Sequence, residues 1–158
     1  MGVVLGSPLP GKITSYRVNK TLHGRSVHRK ADVPGHNVVR NYNRPGTEDA
    51  VDLFCSAGTP VTAMHSGRIT QMREIGETGT VIYVEGVQNT IELCTVYCHL
   101  HAKDGLQVGS QITHGQVIGY VGRKLEDPHL HLEVCVDGKA ISEPTPARLA
   151  KRISKMIA

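Results

Sequence analysis

The sequence predicts an all-β fold of short strands, and its length and composition carry that prediction. A chain of 158 residues suits one domain and is long enough to bury a core. With one Phe, five Tyr and no Trp, that core must come mainly from Val, Ile and Leu, and the β-branched residues among them favour strands. Seventeen Gly and eight Pro supply the turns that many short strands require.

The strand pattern is dense from residue 50 onward. Apolar residues alternate or form short runs there, and turn signals such as Ser66-Gly67, Asp104-Gly105 and Asp137-Gly138 separate them. We predict strands over 51–54, 60–64, 68–73, 80–85, 90–99, 116–121 and 129–136.

The two ends of the chain differ from this β region. Within residues 1–47 we predict a short strand over 12–17 and a long basic loop over 18–47. We expect both to belong to the same domain as the core over 48–145. In the tail over 146–158, Leu149, Ile153 and Met156 or Ile157 recur at helical spacing, which predicts a short amphipathic C-terminal helix.

The basic loop raises the question of a nucleic-acid partner. Residues 17–44 carry seven Arg and Lys against the single acid Asp32, a local charge of +6. The stretch lacks interleaved aromatic residues and a recognisable binding module. We therefore expect no nucleic acid here, but a solvated loop or a rim that faces an acidic polymer or partner.

Other classes of protein are disfavoured by simple patterns. No apolar run approaches the length that spans a membrane, so we expect no membrane partner. The first residues lack a charged segment followed by a long apolar one, so we expect no secretion signal. Four Cys are few for a disulfide scaffold, and we expect free, buried thiols made in a reducing compartment, with Cys94 and Cys98 in the core.

Potential metal-binding and catalytic side chains are concentrated in the segment His129-Leu130-His131-Leu132-Glu133-Val134. Apolar residues alternate in it, so it reads as a strand, and period 2 places His129, His131 and Glu133 on one face. Two imidazoles on one face, about 7 Å apart along the strand, can converge on a metal or a reacting group.

Two more segments offer ligands of the same kind. The strand-like run 95–100 contains His99, and the segment 48–52 contributes the carboxylates of Glu48, Asp49 and Asp52. One pair of histidines is a weak signal, whereas three separate segments with N or O ligands indicate a metal or catalytic site.

These segments belong to an ordered set of blocks. The set comprises Val51-Asp52, the turn 57–63 followed by 66–69, Tyr97-Cys98-His99-Leu100, the Gly-rich stretch 108–122, and Pro128-His129-Leu130-His131-Leu132-Glu133. In this order, residues 48–144 resemble the M23 metallopeptidases, zinc peptidases of the lysostaphin and LytM type. The resemblance implies an antiparallel β-sandwich of the duplicated hybrid motif, called LytM-like.

The resemblance also implies roles for individual residues. Asp52 and His131 would be ligands of one Zn²⁺ ion, and His99 and His129 would be the catalytic imidazoles. Zinc held by three protein ligands keeps a position for water, which it acidifies while it polarises a peptide carbonyl. Two adjacent His side chains can move the proton and stabilise the oxyanion.

One position departs from the family pattern. The family's first ligand is a His four residues before the Asp, and this chain has Glu48 there. Glutamate is a legitimate zinc ligand, so we predict Glu48 as the third ligand. The added charge would make the metal a weaker Lewis acid and shift preference toward Mn²⁺ or another divalent ion. The alternatives are a His from the basic loop (His23, His28 or His36) or a dead site.

The remaining candidates have plainer interpretations. Glu133 either orients a His ligand or fills a structural polar role, and His65, His101 and His114 are expected at the surface. The run 57–69 is also similar to biotinyl and lipoyl carrier domains. Those carriers need a modifiable Lys at the position of His65, so that interpretation is discounted.

The resemblance implies a metal-dependent endopeptidase that cleaves the peptide cross-links of bacterial peptidoglycan. A phage origin, as a tail-associated hydrolase or an endolysin, fits the missing secretion signal, with location in the virion or in the cytosol of an infected bacterium. Peptidoglycan peptides, and phage tail or baseplate proteins, are the expected partners. The alternative function is a catalytically degenerate structural or wall-binding module of a phage tail.

Overall fold

A computed structural model describes residues 2–10, 50–74, 79–122, 128–144 and 146–158 of the chain. These residues form nine strands and one helix. The elements are β1 (Val51–Phe54), β2 (Pro60–Thr62), β3 (Gly67–Glu74), β4 (Thr80–Gln88), β5 (Ile91–Ala102), β6 (Gln111–Ile112), β7 (Val117–Val121), β8 (His129–Val136), β9 (Lys139–Ala140) and α1 (Pro146–Met156).

All seven predicted strands of the core are present. The bounds of β1 and β8 match the prediction residue by residue, and the other five differ at their ends. β6 and β9 were not predicted, because they have two residues each and are too short to show an alternating pattern. The strand predicted over 12–17 and the basic loop over 18–47 lie outside the described residues.

The strands form an antiparallel sheet that branches at β5. The main order is β1-β8-β5-β4-β3-β6, while β7 joins β2 to β5 and β9 pairs with β8. One edge of β5 pairs with β4. The other edge pairs with β8 over residues 93–98 and then with β7 over residues 100–102. Along this edge, β5 therefore pairs first with β8 and then with β7, and His99 lies between the two paired stretches.

A β-bulge marks the same place. Ile82 pairs with Tyr97 and Thr80 with Leu100, so Cys98 and His99 together oppose the single residue Val81. His99 has a φ of 69°, a left-handed conformation that is uncommon for a residue other than glycine. The bulge breaks the strict alternation of the strand at residues 98 and 99, which changes where the His99 side chain points.

The two faces of the sheet carry different side chains, and the potential ligands of β1 and β8 all lie on one of them. In β1 and β8, period 2 directs Val51, Leu53, Leu130, Leu132 and Val134 into the larger core. The intervening residues of β8, from His129 to Cys135, are also buried. On their face lies a smaller cluster of Val81, Tyr83, Cys94, Val96, Cys98 and Cys135.

The C-terminal helix packs on the larger core, as its apolar spacing predicted. Leu149 and Ile153 are buried in that core, and Met156 and Ile157 pack against it. Leu5 is fully buried beside the helix end. Its amide donates to the Met156 carbonyl at 2.7 Å. Within the described part of the chain, α1 falls short of the length and apolar character that crossing a bilayer requires.

Candidate functional site

Cross-strand pairing brings the first two predicted ligands together. Asp52 on β1 lies directly opposite His131 on β8, so their side chains emerge on the same face. Oδ1 of Asp52 is 3.3 Å from Nδ1 of His131 and 3.8 Å from Nε2 of His129. The three side chains are at most 3% exposed. Three residues predicted for the site are therefore neighbours in a buried position.

The bulge brings the fourth predicted residue to the same place. The His99 ring lies 5.1 Å from the His129 ring and 5.9 Å from the His131 ring, measured between centroids, and it meets both at steep angles. Strict alternation would set Cys98 and His99 on opposite faces, whereas the bulge allows both to lie near β8. The structure thus gathers Asp52, His99, His129 and His131, and their individual roles remain predictions.

Glu133 supports His131 from the other side of the imidazole. Oε2 of Glu133 is 3.0 Å from Nε2 of His131, and Glu133 is completely buried. A carboxylate that accepts a hydrogen bond from one ring nitrogen fixes the tautomer, so the other nitrogen presents a lone pair. This is the geometry expected if Glu133 orients a ligand, one of its two predicted roles.

Phe54 is an aromatic neighbour of His129 that was not among the predicted site residues. It is the cross-strand partner of His129. The two ring centroids are 4.9 Å apart, with the planes tilted by 39°. Pairing of β1 with β8 creates this contact, and the sequence carries no signal for that register beyond the family resemblance.

The electrostatics of the cluster favour a positive charge between its carboxylates. Burial lowers the pKa of His131, but hydrogen bonds and charge interactions with Asp52 and Glu133 outweigh that effect and raise the pKa to about 9. Two buried carboxylates on either side of one imidazole need a compensating cation, which is a proton on His131 or a metal ion.

The donor set fits a divalent metal. Zinc with Zn–O and Zn–N distances near 2.0–2.1 Å separates two tetrahedral ligands by about 3.3 Å. The gap of 3.3 Å between Asp52 Oδ1 and His131 Nδ1 has that size. A carboxylate oxygen and an imidazole nitrogen are also typical zinc ligands. Asp52 and His131 can therefore hold the ion that the resemblance implies.

The third predicted ligand is not placed by the structure. Glu48 lies outside the described residues, as do His23, His28 and His36 of the basic loop. Whether the Glu48 carboxylate, a loop imidazole or neither completes the site stays a prediction.

One expectation about a single residue was wrong. His65 was expected at the surface, but it is 2% exposed, with Nδ1 2.9 Å from the Ser66 carbonyl and Nε2 2.9 Å from the Thr95 hydroxyl. The polar partners that permit its burial come from strand pairing rather than from neighbouring sequence. His101 and His114 are exposed, as expected.

Cys98 was assigned to the core for want of partner ligands. It is buried, but it lies opposite His131 in the sheet, and the ligand atoms of Cys98, His131 and Glu133 all lie within 4.8 Å of one another. Cys135 pairs with Cys94 across the same two strands. Both relationships depend on the β5–β8 register, which the sequence does not reveal.

The chain is similar to several solved structures. A zinc-containing peptidase from Vibrio cholerae matches with 22% identity and a TM-score of 0.56, over 88% of this chain and 39% of that one. Csd3 from Helicobacter pylori matches with 25% identity and a TM-score of 0.57, over 98% and 40%. The catalytic domain of the antimicrobial peptidase lysostaphin from Staphylococcus simulans matches with 30% identity and a TM-score of 0.49, over 65% and 79%.

The chain spans about two fifths of the length of the Vibrio cholerae and Helicobacter pylori proteins. No curated protein matches it in sequence. Residues 46–143, more than half of the chain, match the sequence model of Peptidase family M23. This stretch contains all four of the clustered side chains, and the antiparallel fold agrees with the match. The chain therefore belongs to peptidase family M23.

Proposed function

We propose that this chain is a metal-dependent endopeptidase that hydrolyses the peptide cross-links of bacterial peptidoglycan. Membership of family M23 supports the hydrolysis of peptide bonds. The observation that carries the proposal is the convergence of Asp52, His99, His129 and His131 at one buried place on the sheet. The substrate class follows from the resemblance to peptidases of the lysostaphin type.

The four clustered residues fall into two pairs with different proposed roles, metal binding and acid–base catalysis. Asp52 and His131 would hold the zinc ion, whose chemistry when bound would be that of a Lewis acid for the scissile carbonyl and the attacking water. His99 and His129 would act beside this pair as catalytic groups and not as ligands. One imidazole can accept the proton of the attacking water, and the other can donate a hydrogen bond to the developing oxyanion.

The direct test is hydrolysis of purified, insoluble peptidoglycan. We expect new amino groups to appear in the supernatant, to cease when a chelator removes the metal, and to return when zinc or manganese is added back. His114→Ala, at an exposed His, should leave the rate unchanged. If no divalent ion supports release from any peptidoglycan type, the protein is not this enzyme.

A second candidate function is a degenerate module that binds the cell wall or a tail assembly without turnover. Glu48, at the position where the family has a His, favours it. Metal content separates the two functions. A degenerate module would sediment with peptidoglycan, and Asp52→Ala would leave its metal content unchanged, whereas the enzyme would lose one ion on that substitution.

We also propose that the protein belongs to a phage, either as a tail-associated hydrolase or as an endolysin. All four cysteines are thiols and not disulfides, which suits synthesis in a reducing cytosol. Mass spectrometry of purified virions distinguishes the two forms. A tail-associated hydrolase is present in the particle, and an endolysin is found only in the lysate.

A further inference from the structure

Three buried side chains that could bind a metal lie close together, and as a group they are distinct from the proposed peptidase site. They are the thiol of Cys98, the imidazole of His131 and the carboxylate of Glu133, with one ligand atom of each within 4.8 Å of the others. Each of the three residues is at most 1% exposed. Only His131 is also a member of the proposed zinc site.

Sheet register explains why these side chains meet. Cys98 lies opposite His131, and Val96 lies opposite Glu133. Period 2 keeps His131 and Glu133 on one face of β8, and cross-strand pairing places Cys98 beside His131. All three groups are therefore held by the central strands β5 and β8, which restricts their movement.

The two nitrogens of His131 face different partners. Nδ1 lies 3.3 Å from Asp52, and Nε2 lies 3.0 Å from Glu133. These nitrogens point away from each other in an imidazole ring, so an ion on the Glu133 side occupies a different place from an ion on the Asp52 side. We propose that Cys98, His131 and Glu133 form a second metal-binding position, selective for a thiophilic divalent cation such as Zn²⁺, Co²⁺ or Cd²⁺.

The donor set accounts for that selectivity. Thiolate, imidazole and carboxylate are all zinc ligands, and a thiolate favours softer ions over Mg²⁺ or Mn²⁺. Tetrahedral zinc needs its ligand atoms about 3.3–3.6 Å apart. Nε2 of His131 and Oε2 of Glu133 are 3.0 Å apart, and the ligand atoms of all three residues lie within 4.8 Å of one another, so small side-chain shifts on binding would complete the set. The proton of the Cys98 thiol and any proton on Nε2 pass to solvent as the ion binds, which leaves a thiolate as the ligand.

Cobalt titration tests the proposal without reference to hydrolysis. A Co²⁺–thiolate bond produces a charge-transfer absorption in the near ultraviolet, which nitrogen and oxygen ligands do not. We expect this absorption in the wild-type protein and its loss in Cys98→Ser. Cys94→Ser is the matched control, because Cys94 is a buried thiol on the same strand and in the same apolar cluster. That variant should keep the absorption.

Asp52→Asn separates this position from the proposed peptidase site. It should abolish peptidoglycan hydrolysis and keep the cobalt–thiolate absorption. If the absorption is lost together with hydrolysis, Cys98 belongs to the Asp52 site and the second position does not exist. If the absorption persists but the wild-type protein never hydrolyses peptidoglycan, the metal position stands and the proposed function fails.

Cadmium NMR of the wild-type protein provides a test that needs no variant. The ¹¹³Cd resonance of a site with one thiolate lies well downfield of a site with only nitrogen and oxygen ligands. We expect a resonance in the thiolate range. A spectrum that contains only nitrogen- and oxygen-ligated cadmium would overturn the proposal even if Cys98→Ser does not fold, and Glu133 would then only orient His131.

Discussion

Phe54, the single phenylalanine of the chain, packs against His129 with ring centroids 4.9 Å apart. The two residues are cross-strand partners at the end of the β1–β8 pairing. Phe54 therefore limits how the His129 imidazole can turn, although it carries no group that takes part in hydrolysis. We infer that Phe54 is a positioning residue for one of the two proposed catalytic imidazoles.

Phe54→Ala should lower kcat with little change in KM. Without the ring, the His129 imidazole gains freedom, and misplacement by about 1 Å can cost up to about a hundredfold in rate. We expect a loss of about tenfold with bound metal retained, and recovery in Phe54→Tyr, which keeps the ring. Steady-state kinetics on a soluble cross-link peptide and metal analysis provide the readouts. Loss of metal in Phe54→Ala would show a structural role instead.

His99→Ala and His129→Ala should each abolish most turnover while keeping the metal. Loss of a general acid–base group typically costs about 10²–10⁴-fold in rate. Asp52→Ala should lose the peptidase-site metal as well as activity, since Asp52 is a proposed ligand. Elemental analysis beside the rate measurement separates these cases. If metal and activity vanish together in either His variant, that His is a ligand and the assignment of roles is wrong.

Glu48 should limit the proposed site rather than destroy it. A carboxylate in place of an imidazole leaves the metal a weaker Lewis acid and raises the pKa of its bound water. We expect Glu48→His to increase hydrolysis near neutral pH and Glu48→Ala to weaken metal affinity. Metal titration of both variants is the measurement. Wild-type affinity in Glu48→Ala would mean that Glu48 is not a ligand.

His65 should make the protein sensitive to acid. Burial lowers the pKa of His65 below its ordinary value of 6.5, so the unfolded chain binds this proton more readily than the folded one. The contribution of neutral His65 to stability is therefore complete above pH 6.5 and is lost as the pH falls below that value. We expect His65→Gln to flatten this loss in urea unfolding measured between pH 8 and pH 5.

The comparison with His65→Gln also cancels the opposite effect of His131. In the metal-free protein, the raised pKa of His131 adds stability below pH 6.5, which is lost as the pH rises toward about 9. His131 is present in both proteins, so the difference between them isolates His65. His101→Gln, at an exposed His, serves as the control. A stability difference between wild type and His65→Gln that does not change in favour of the variant as the pH falls from 8 to 5 would contradict the assignment.

Leu5 should contribute strongly to stability although it lies near the start of the chain. It is fully buried, its amide donates to Met156, and its carbonyl accepts from Ala158 at 2.9 Å. Leu5→Ala removes buried methyl groups and should cost about 2–5 kcal/mol of unfolding free energy. Val4→Ala is the matched control, since Val4 is 52% exposed and should change stability by less than about 0.5 kcal/mol. Equal effects of both changes would contradict this role.

The strands could be predicted from local pattern because burial on one face of a strand requires alternation. The bounds of β1 and β8 followed from that rule, and so did the helix, whose apolar residues recur at helical spacing. The ligand types and their segments were also readable, since chemistry that needs an imidazole or a carboxylate restricts the residue type.

Tertiary structure alone decided which of these residues meet. The β-bulge at Cys98 and His99, and the exchange of partner on β5 from β8 to β7, depend on pairing between distant segments. The same register buries His65 against Thr95 and sets Cys98 opposite His131. Local sequence specifies period and residue type, whereas contacts between strands depend on register, which the packing of the whole sheet selects.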